Sequence, residues 1–228
     1  MGAMSRKPAA VLWDMDGTVV NTEPYWMSVE TELVESYGGT WTHDDALQLV
    51  GNGLLESGRV LKRAGVDLEP QQIVDLMTDR VAERLRTQGV PFRPGARELL
   101  ADLRKQGIPT ALVTMSLRRM ALDVVDQIDF TAFDLIVAGD DVGRPKPFPD
   151  PYLTAAAQLG IDIVDAVVIE DSPTGVASGA ASGAVTLGVP HIVSLDGCGA
   201  DELWPTLEGR TTADLADLHT RFAKEGAR

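Results

Sequence analysis

Two acidic pairs stand at the ends of apolar runs in this chain, and each carries an electrostatic cost. "VLWDMDGTVV" places Asp14 and Asp16 two residues apart, and "VVIEDSPTG" places Glu170 and Asp171 side by side. If the first run continues as a strand through both acids, that spacing aims both side chains the same way. Two like charges about 4 Å apart repel by about 4 kcal/mol at an effective dielectric of roughly 20. A bound cation or a shared proton relieves the repulsion; the plainer alternative is an Asp-Gly turn with both acids in solvent. Hard divalent cations prefer carboxylate and carbonyl oxygens, and magnesium binds through one or two carboxylates beside a phosphate. Gly17 lets the chain turn sharply, so that the amides just after Asp14 can face an anion. Lys146 adds a positive charge, and in "GRPKPFPD" Pro145, Pro147 and Pro149 stiffen the loop that carries it. Thr114 and Ser116 add hydroxyls after the apolar "ALV". Acids with a metal, an ammonium and hydroxyls suit phosphoryl transfer, which needs positioning and charge compensation above all.

Elements that would gather these residues are legible in the pattern. Apolar runs at 9–13, 109–115, 133–138, 166–169 and 184–189 suit strands buried on both faces, as in parallel sheets. Helical patterns at about 95–106, 118–127, 150–159 and 173–181 lie between them. This alternation predicts an α/β fold, a doubly wound, mostly parallel sheet with a Rossmann-like core. Ligands in such sheets bind beyond the carboxyl ends of the strands, where the acids, Thr114 and Ser116 fall. Asp150 and Pro151 before "YLTAAAQLG" predict an N-cap, a proline at the first helical position and a closing glycine. The stretch 23–89 breaks the alternation with amphipathic helical segments and no strand. It reads as a helical cap inserted in the core, hinged at 20–24 and 90–94. The expected division is 1–20 and 94–228 for the core, and 21–93 for the cap with its linkers.

Composition narrows the partners. The chain has 228 residues, a 44% hydrophobic content that can fill a real core, and a formal net charge of -14. That charge argues against nucleic acid and anionic membrane surfaces. Cys198 is the only cysteine, so no internal disulfide forms, and three scattered histidines give no zinc spacing. No apolar stretch is long enough to span a bilayer, and Arg6 breaks the myristoylation pattern begun by "MGAMSR". Residues 1–3 read as an added leader. A cytoplasmic monomer acting on a small molecule is expected.

The motifs together resemble those of the haloacid dehalogenase superfamily. They are "DMDGT", "VTMS", the lysine of "RPKPFPD", and "VIEDSPTGV", in the family's order and strand context. The insertion resembles the helical cap of the beta-phosphoglucomutase-like and sugar-phosphatase branch. The resemblance implies that Asp14 is a nucleophile forming an aspartyl-phosphate, and that Asp16 protonates the leaving alcohol and then deprotonates water. It implies that Thr114 hydrogen-bonds the phosphoryl oxygens and that Lys146 neutralises them and orients Asp14. Magnesium would be held by Asp14, the backbone carbonyl of Asp16, Asp171, and Glu170 directly or through water. Met15, Gly17, Met115 and Ser116 are the expected substrate contacts of the core, with Trp26 and Asn52 from the cap. Trp41, Leu54 and Arg59 are further pocket candidates. An acid at Asp16 argues against the dehalogenase branch, which needs no proton donor there.

The implied activity is a magnesium-dependent phosphatase for a small, sugar-phosphate-like monoester. A hexose-phosphate mutase is the alternative. The mutases carry a histidine and an arginine where this chain has Trp26 and Leu54, with Arg59 or Arg63 left as replacements. A signalling receiver shares the acidic pocket, threonine and lysine but lacks an insertion of this size. "GNGLLE" lacks the third glycine of a dinucleotide loop.

Overall fold

The computed structural model describes residues 6–223; the leader read at 1–3 lies outside them. Six strands form one sheet, all parallel, in the order β3-β2-β1-β4-β5-β6. They are β1 (Ala10–Trp13), β2 (Thr110–Val113), β3 (Leu135–Val137), β4 (Ala166–Glu170), β5 (Val185–Gly188) and β6 (Glu202–Leu203). Every residue of β1, β2, β4 and β5 is buried. The pleat explains why their sequences are apolar without alternation. Val11, Trp13, Leu112, Val167 and Ile169 enter the core on one face, while Ala10, Leu12, Ala111, Val113 and Val168 enter that on the other. The expected core is thus a fully parallel sheet rather than a mostly parallel one.

Helices α1 (Glu23–Ser36), α2 (His43–Leu47), α3 (Leu54–Arg63) and α4 (Pro70–Gln88) follow β1 in sequence. Their apolar residues, among them Val29, Leu33, Leu61, Ile73 and Met77, join the core on the Trp13 face of the sheet. The two crossings into and out of this helical segment pair with each other. Val20 and Phe92 form an antiparallel bridge, with Asn21 N donating to Pro91 O (2.7 Å) and Arg93 N to Val19 O (2.9 Å). The side chains there also interlock. Arg93 donates to His191 Nδ1, and the other ring nitrogen of His191 donates to Asn21 Oδ1 (2.8 Å). Burial and the Arg93 charge push His191 down to about 4, so the ring is neutral at neutral pH.

Beyond the insertion come α5 (Ala96–Lys105), α6 (Arg118–Val125), α7 (Asp150–Leu159), α8 (Pro173–Ser182) and α9 (Thr212–Phe222). The N-cap expected at Asp150 is not there. Pro149 occupies the cap with φ near the helical value, so α7 begins one residue early, and Asp150 accepts instead from Arg144 Nε (2.8 Å). The closing glycine does end the helix, with Gly160 at φ 69. Strand β6 and helix α9 go unread in the pattern. The strand is a two-residue edge element, too short for periodicity to register. Helix α9 had a usable signal in the capping box of Thr211 and Asp214.

Candidate active site

The carboxyl ends of β1, β2 and β4 converge, and the acids sort there by partner rather than by sequence spacing. Strand β1 ends at Trp13; Asp14 N still donates to Ile169 O (3.0 Å), and Asp16 pairs with Val20 at the mouth of the turn that follows. Asp14 Oδ1 accepts from Lys146 Nζ at 2.6 Å, and Asp14 Oδ2 has no partner among the described residues. Lys146 also donates to Glu170 Oε1 (2.6 Å) and to Val113 O (2.9 Å), which uses all three of its protons. The carboxylate of Asp16 points elsewhere. Its Oδ1 accepts from Thr22 Oγ1 (2.5 Å) and Trp26 Nε1 (3.3 Å), and its Oδ2 from Ser116 Oγ (2.7 Å) and Thr114 Oγ1 (3.3 Å). The side chains of Asp14 and Asp16 therefore take separate sets of partners. The carboxylates that gather are Asp14, Glu170 and Asp171, whose ligand oxygens all lie within 4.8 Å of one another.

Glu170 and Asp171, adjacent in sequence, have different surroundings. Glu170 is fully buried, and Tyr152 Oη donates to its Oε1 at 2.5 Å beside the lysine. Its Oε2 accepts from Asp171 N (3.3 Å) and Ser172 Oγ (3.4 Å). Gly175 is required beside it, since a Cβ there would stand 1.9 Å from Glu170 Oε2. Asp171 is also buried, yet it accepts only a long hydrogen bond from Thr18 Oγ1 (3.4 Å) and forms no ion pair among the described residues. Gly17 closes over it, at φ 88, and a Cβ there would fall 1.9 Å from Asp171 Oδ2.

This crowding shifts protons. Burial, only partly offset by Lys146 and reinforced by Glu170 and Asp16, raises Asp14 to about 7. Burial and the charges of Asp14 and Glu170 hold Asp171 well above the usual carboxylate range. Three buried carboxylates share one ammonium, so among the described residues their negative charge is not fully paired. An all-oxygen donor set of this kind fits a hard divalent cation.

A cleft opens in front of these groups. Asp14, Asp16, Thr114, Met115, Ser116, Lys146 and Asp171 line it from the core, and Trp26, Asn52 and Leu54 from the helical segment. Other expected contacts fall differently. The side chain of Met15 is buried in the core, and the amide of Gly17 is taken by Val20 O (2.7 Å). Of the three amides after Asp14, only those of Met15 and Asp16 are left for an anion. Asn52 lines the cleft, although its amide donates to Gln48 O (2.9 Å). Trp41 stands behind the cleft and donates to Glu30 Oε2 (3.4 Å). Arg59 and Arg63 are excluded, because both lie exposed and paired with Glu56. The sequence reading missed Glu23, Glu30, Ser57 and Ser172 among the polar lining residues, and Ala46, Leu49, Val50, Gly51 and Met77 among the rest. Glu23, Trp26 and Glu30 recur at i, i+3 and i+7, a helical face that could have revealed the two acids.

The model of the family described as haloacid dehalogenase-like hydrolase matches residues 11–189. The chain belongs to that family. Within it, the chain is 33% identical over 187 residues to a phosphorylated carbohydrates phosphatase of Thermotoga maritima, covering 80% of this chain and 85% of that one. It is 30% identical over 197 residues to a bifunctional riboflavin kinase/FMN phosphatase of Arabidopsis thaliana, covering 83% of this chain but only 50% of that longer protein. The crystal structure of CbbY from Rhodobacter sphaeroides in complex with phosphate superposes with a TM-score of 0.81 at 27% identity, over 91% of this chain and 99% of that one. No helix among the described residues is long and apolar enough to cross a membrane.

Proposed function

We propose that this chain is a magnesium-dependent phosphatase that hydrolyses a small, sugar-phosphate-like monoester through an aspartyl-phosphate on Asp14. The observation that carries the reading is the state of Asp14, which lines the cleft: Lys146 holds one carboxylate oxygen at 2.6 Å, and the other has no partner among the described residues. That second oxygen attacks phosphorus in line with the ester oxygen. The phosphorus–oxygen bond to the alcohol breaks, and Asp16 gives the leaving oxygen a proton. Asp16 then takes a proton from water as the water attacks the acyl phosphate, which frees Asp14 and inorganic phosphate. The donors on both oxygens of Asp16 hold its carboxyl in place for these transfers. Thr114 and the amides of Met15 and Asp16 bind phosphoryl oxygens, with Met115 and Ser116 beside them. Magnesium would be held directly by Asp14, Asp171 and the backbone carbonyl of Asp16, and through water by Glu170, whose oxygens already hold donors. When bound, it neutralises the buried acids and the phosphoryl charge.

The segment 21–93 acts as the cap over this cleft, and the described residues of 1–20 and 94–228 form the catalytic core. The paired crossings at 20–24 and 90–94 support a hinge, and Thr174 Oγ1 reaches across to Gly51 O (2.5 Å). Closure excludes water from the acyl phosphate until the alcohol has left. A monomer in a reducing, cytoplasmic setting remains our reading of the acidic surface and the single cysteine.

Phosphate release from p-nitrophenyl phosphate should vanish on stringent chelation and return with magnesium. Because burial raises Asp14 to about 7, protons compete with the metal below that pH. Magnesium affinity should therefore climb as pH rises through about 7, with proton release measurable by calorimetry in buffers of different ionisation enthalpy. Full activity after chelation would overturn the metal assignment.

Water rather than a second sugar hydroxyl should receive the phosphoryl group. A mutase must grip a second phosphate, yet the only cation lining the cleft among the described residues is Lys146. Burying an unpartnered dianion there would be prohibitive. With beta-glucose 1-phosphate, a trace of its bisphosphate and magnesium, phosphate release should outpace formation of glucose 6-phosphate. The reverse order would make the enzyme a mutase.

A further inference from the structure

Helix α1 turns a carboxylate-bearing face into the cleft, with Glu23 close enough to the reacting groups to feel the charges of Asp16 and Asp14. Glu30 is only 5% exposed, and it borders the cleft with one oxygen, Oε1, that has no hydrogen-bond partner among the described residues. Its other oxygen has only the long bond from Trp41. Glu23, two turns earlier, lines the same cleft and forms no hydrogen bond or ion pair among the described residues. The other cleft-lining residues of the helical segment, Leu49, Leu54, Ser57 and Met77 among them, offer no charge. Lys146 cannot serve these acids, because its protons are committed to Asp14, Glu170 and Val113.

We propose that the substrate's leaving group carries a protonated amine, bound by Glu30 and Glu23. This rests on the phosphatase reading and names its substrate class: an amine-bearing phosphomonoester, such as an aminoalkyl or amino-sugar phosphate. A buried carboxylate without a counter-charge is costly, and an ammonium supplies both charge and three donors. A neutral polyol offers donors but leaves the negative charge in place. A carboxylate or second phosphate on the leaving group would be repelled by the same acids. Burial raises Glu30 to about 7, and burial together with the charges of Asp16, Glu30 and Asp14 raises Glu23 to about 8; no cation pairs with either among the described residues.

The test compares ester pairs that differ only in their far group: ω-aminoalkyl against ω-hydroxyalkyl phosphates of increasing length, and glucosamine 6-phosphate against glucose 6-phosphate. With magnesium near neutral pH, kcat/KM should favour the amine by about tenfold or more in the best-fitting pair. Glu30→Gln should reduce that ratio by a similar factor, and Glu23→Gln should reduce it as well. Both members of a pair are measured on one sample, so the ratio is insensitive to any loss of folded protein. Equal or faster release from the hydroxy esters throughout, while p-nitrophenyl phosphate is still hydrolysed, overturns the amine and leaves the phosphatase reading standing. A ratio unchanged in both variants overturns the assignment of Glu30 and Glu23. No hydrolysis of p-nitrophenyl phosphate by the magnesium-loaded enzyme overturns both readings.

Discussion

Asp14→Asn is expected to lower turnover of p-nitrophenyl phosphate by about 10⁴-fold or more, with no loss of stability. An amide is a poor nucleophile, and removing a nucleophile costs nearly all of the rate that covalent catalysis supplies. Stability should hold because the substitution removes one of three crowded, buried carboxylates while keeping an oxygen for Lys146 to bond. The two effects together separate chemistry from folding. Turnover is read with the magnesium-loaded variant, and stability from a thermal melt without metal. Turnover within about tenfold of the unaltered protein would remove Asp14 from the mechanism. A collapsed melt would instead show that its charge is structural.

Lys146→Met should damage both properties. The lysine is buried, and its removal strands Asp14 and Glu170, both bonded to it at 2.6 Å. Breaking a buried pair by deleting one partner typically costs about 3–5 kcal/mol, and a donor aimed at the reacting groups is worth about 10²–10³-fold in rate. The stability deficit should depend on pH in a definite direction. Lys146 lowers the pKa of Asp14, so its loss lets that carboxyl hold a proton still higher in the native state. The native variant then binds more protons than its unfolded chain and loses stability as pH rises above the unfolded carboxylate range. Urea denaturation should find the deficit larger at about pH 8 than at about pH 5. Equal deficits at both would show that the lysine acts by packing, against the ring of Tyr152 for example, rather than by charge.

Much of the architecture was readable because of how a parallel sheet is buried. Strands covered on both faces are largely apolar, so the points where "VLW", "ALV" and "VVI" stop mark the strand ends to within one residue. Ligands gather beyond such ends, which placed Asp14, Thr114, Lys146 and Asp171 near one another before any coordinates. Tertiary structure alone decided which group faces which. Asp14 and Asp16, two residues apart, took separate partners: Lys146 reaches Asp14, while Thr22, Trp26 and Ser116 from other segments surround Asp16. Glu170 turned to Lys146 while its neighbour Asp171 has no ion pair among the described residues. Arg59 pairs outward with Glu56, whereas Glu23 and Glu30 turn inward. An acid on an amphipathic helix is ordinarily solvated, and only the packing of α1 against the open end of the sheet makes these two part of a cleft. Charge pairing depends on distances between segments a hundred or more residues apart, such as Lys146 and Asp14 at a separation of 132. Residue type and local periodicity specify which surfaces are buried, but they do not encode those distances.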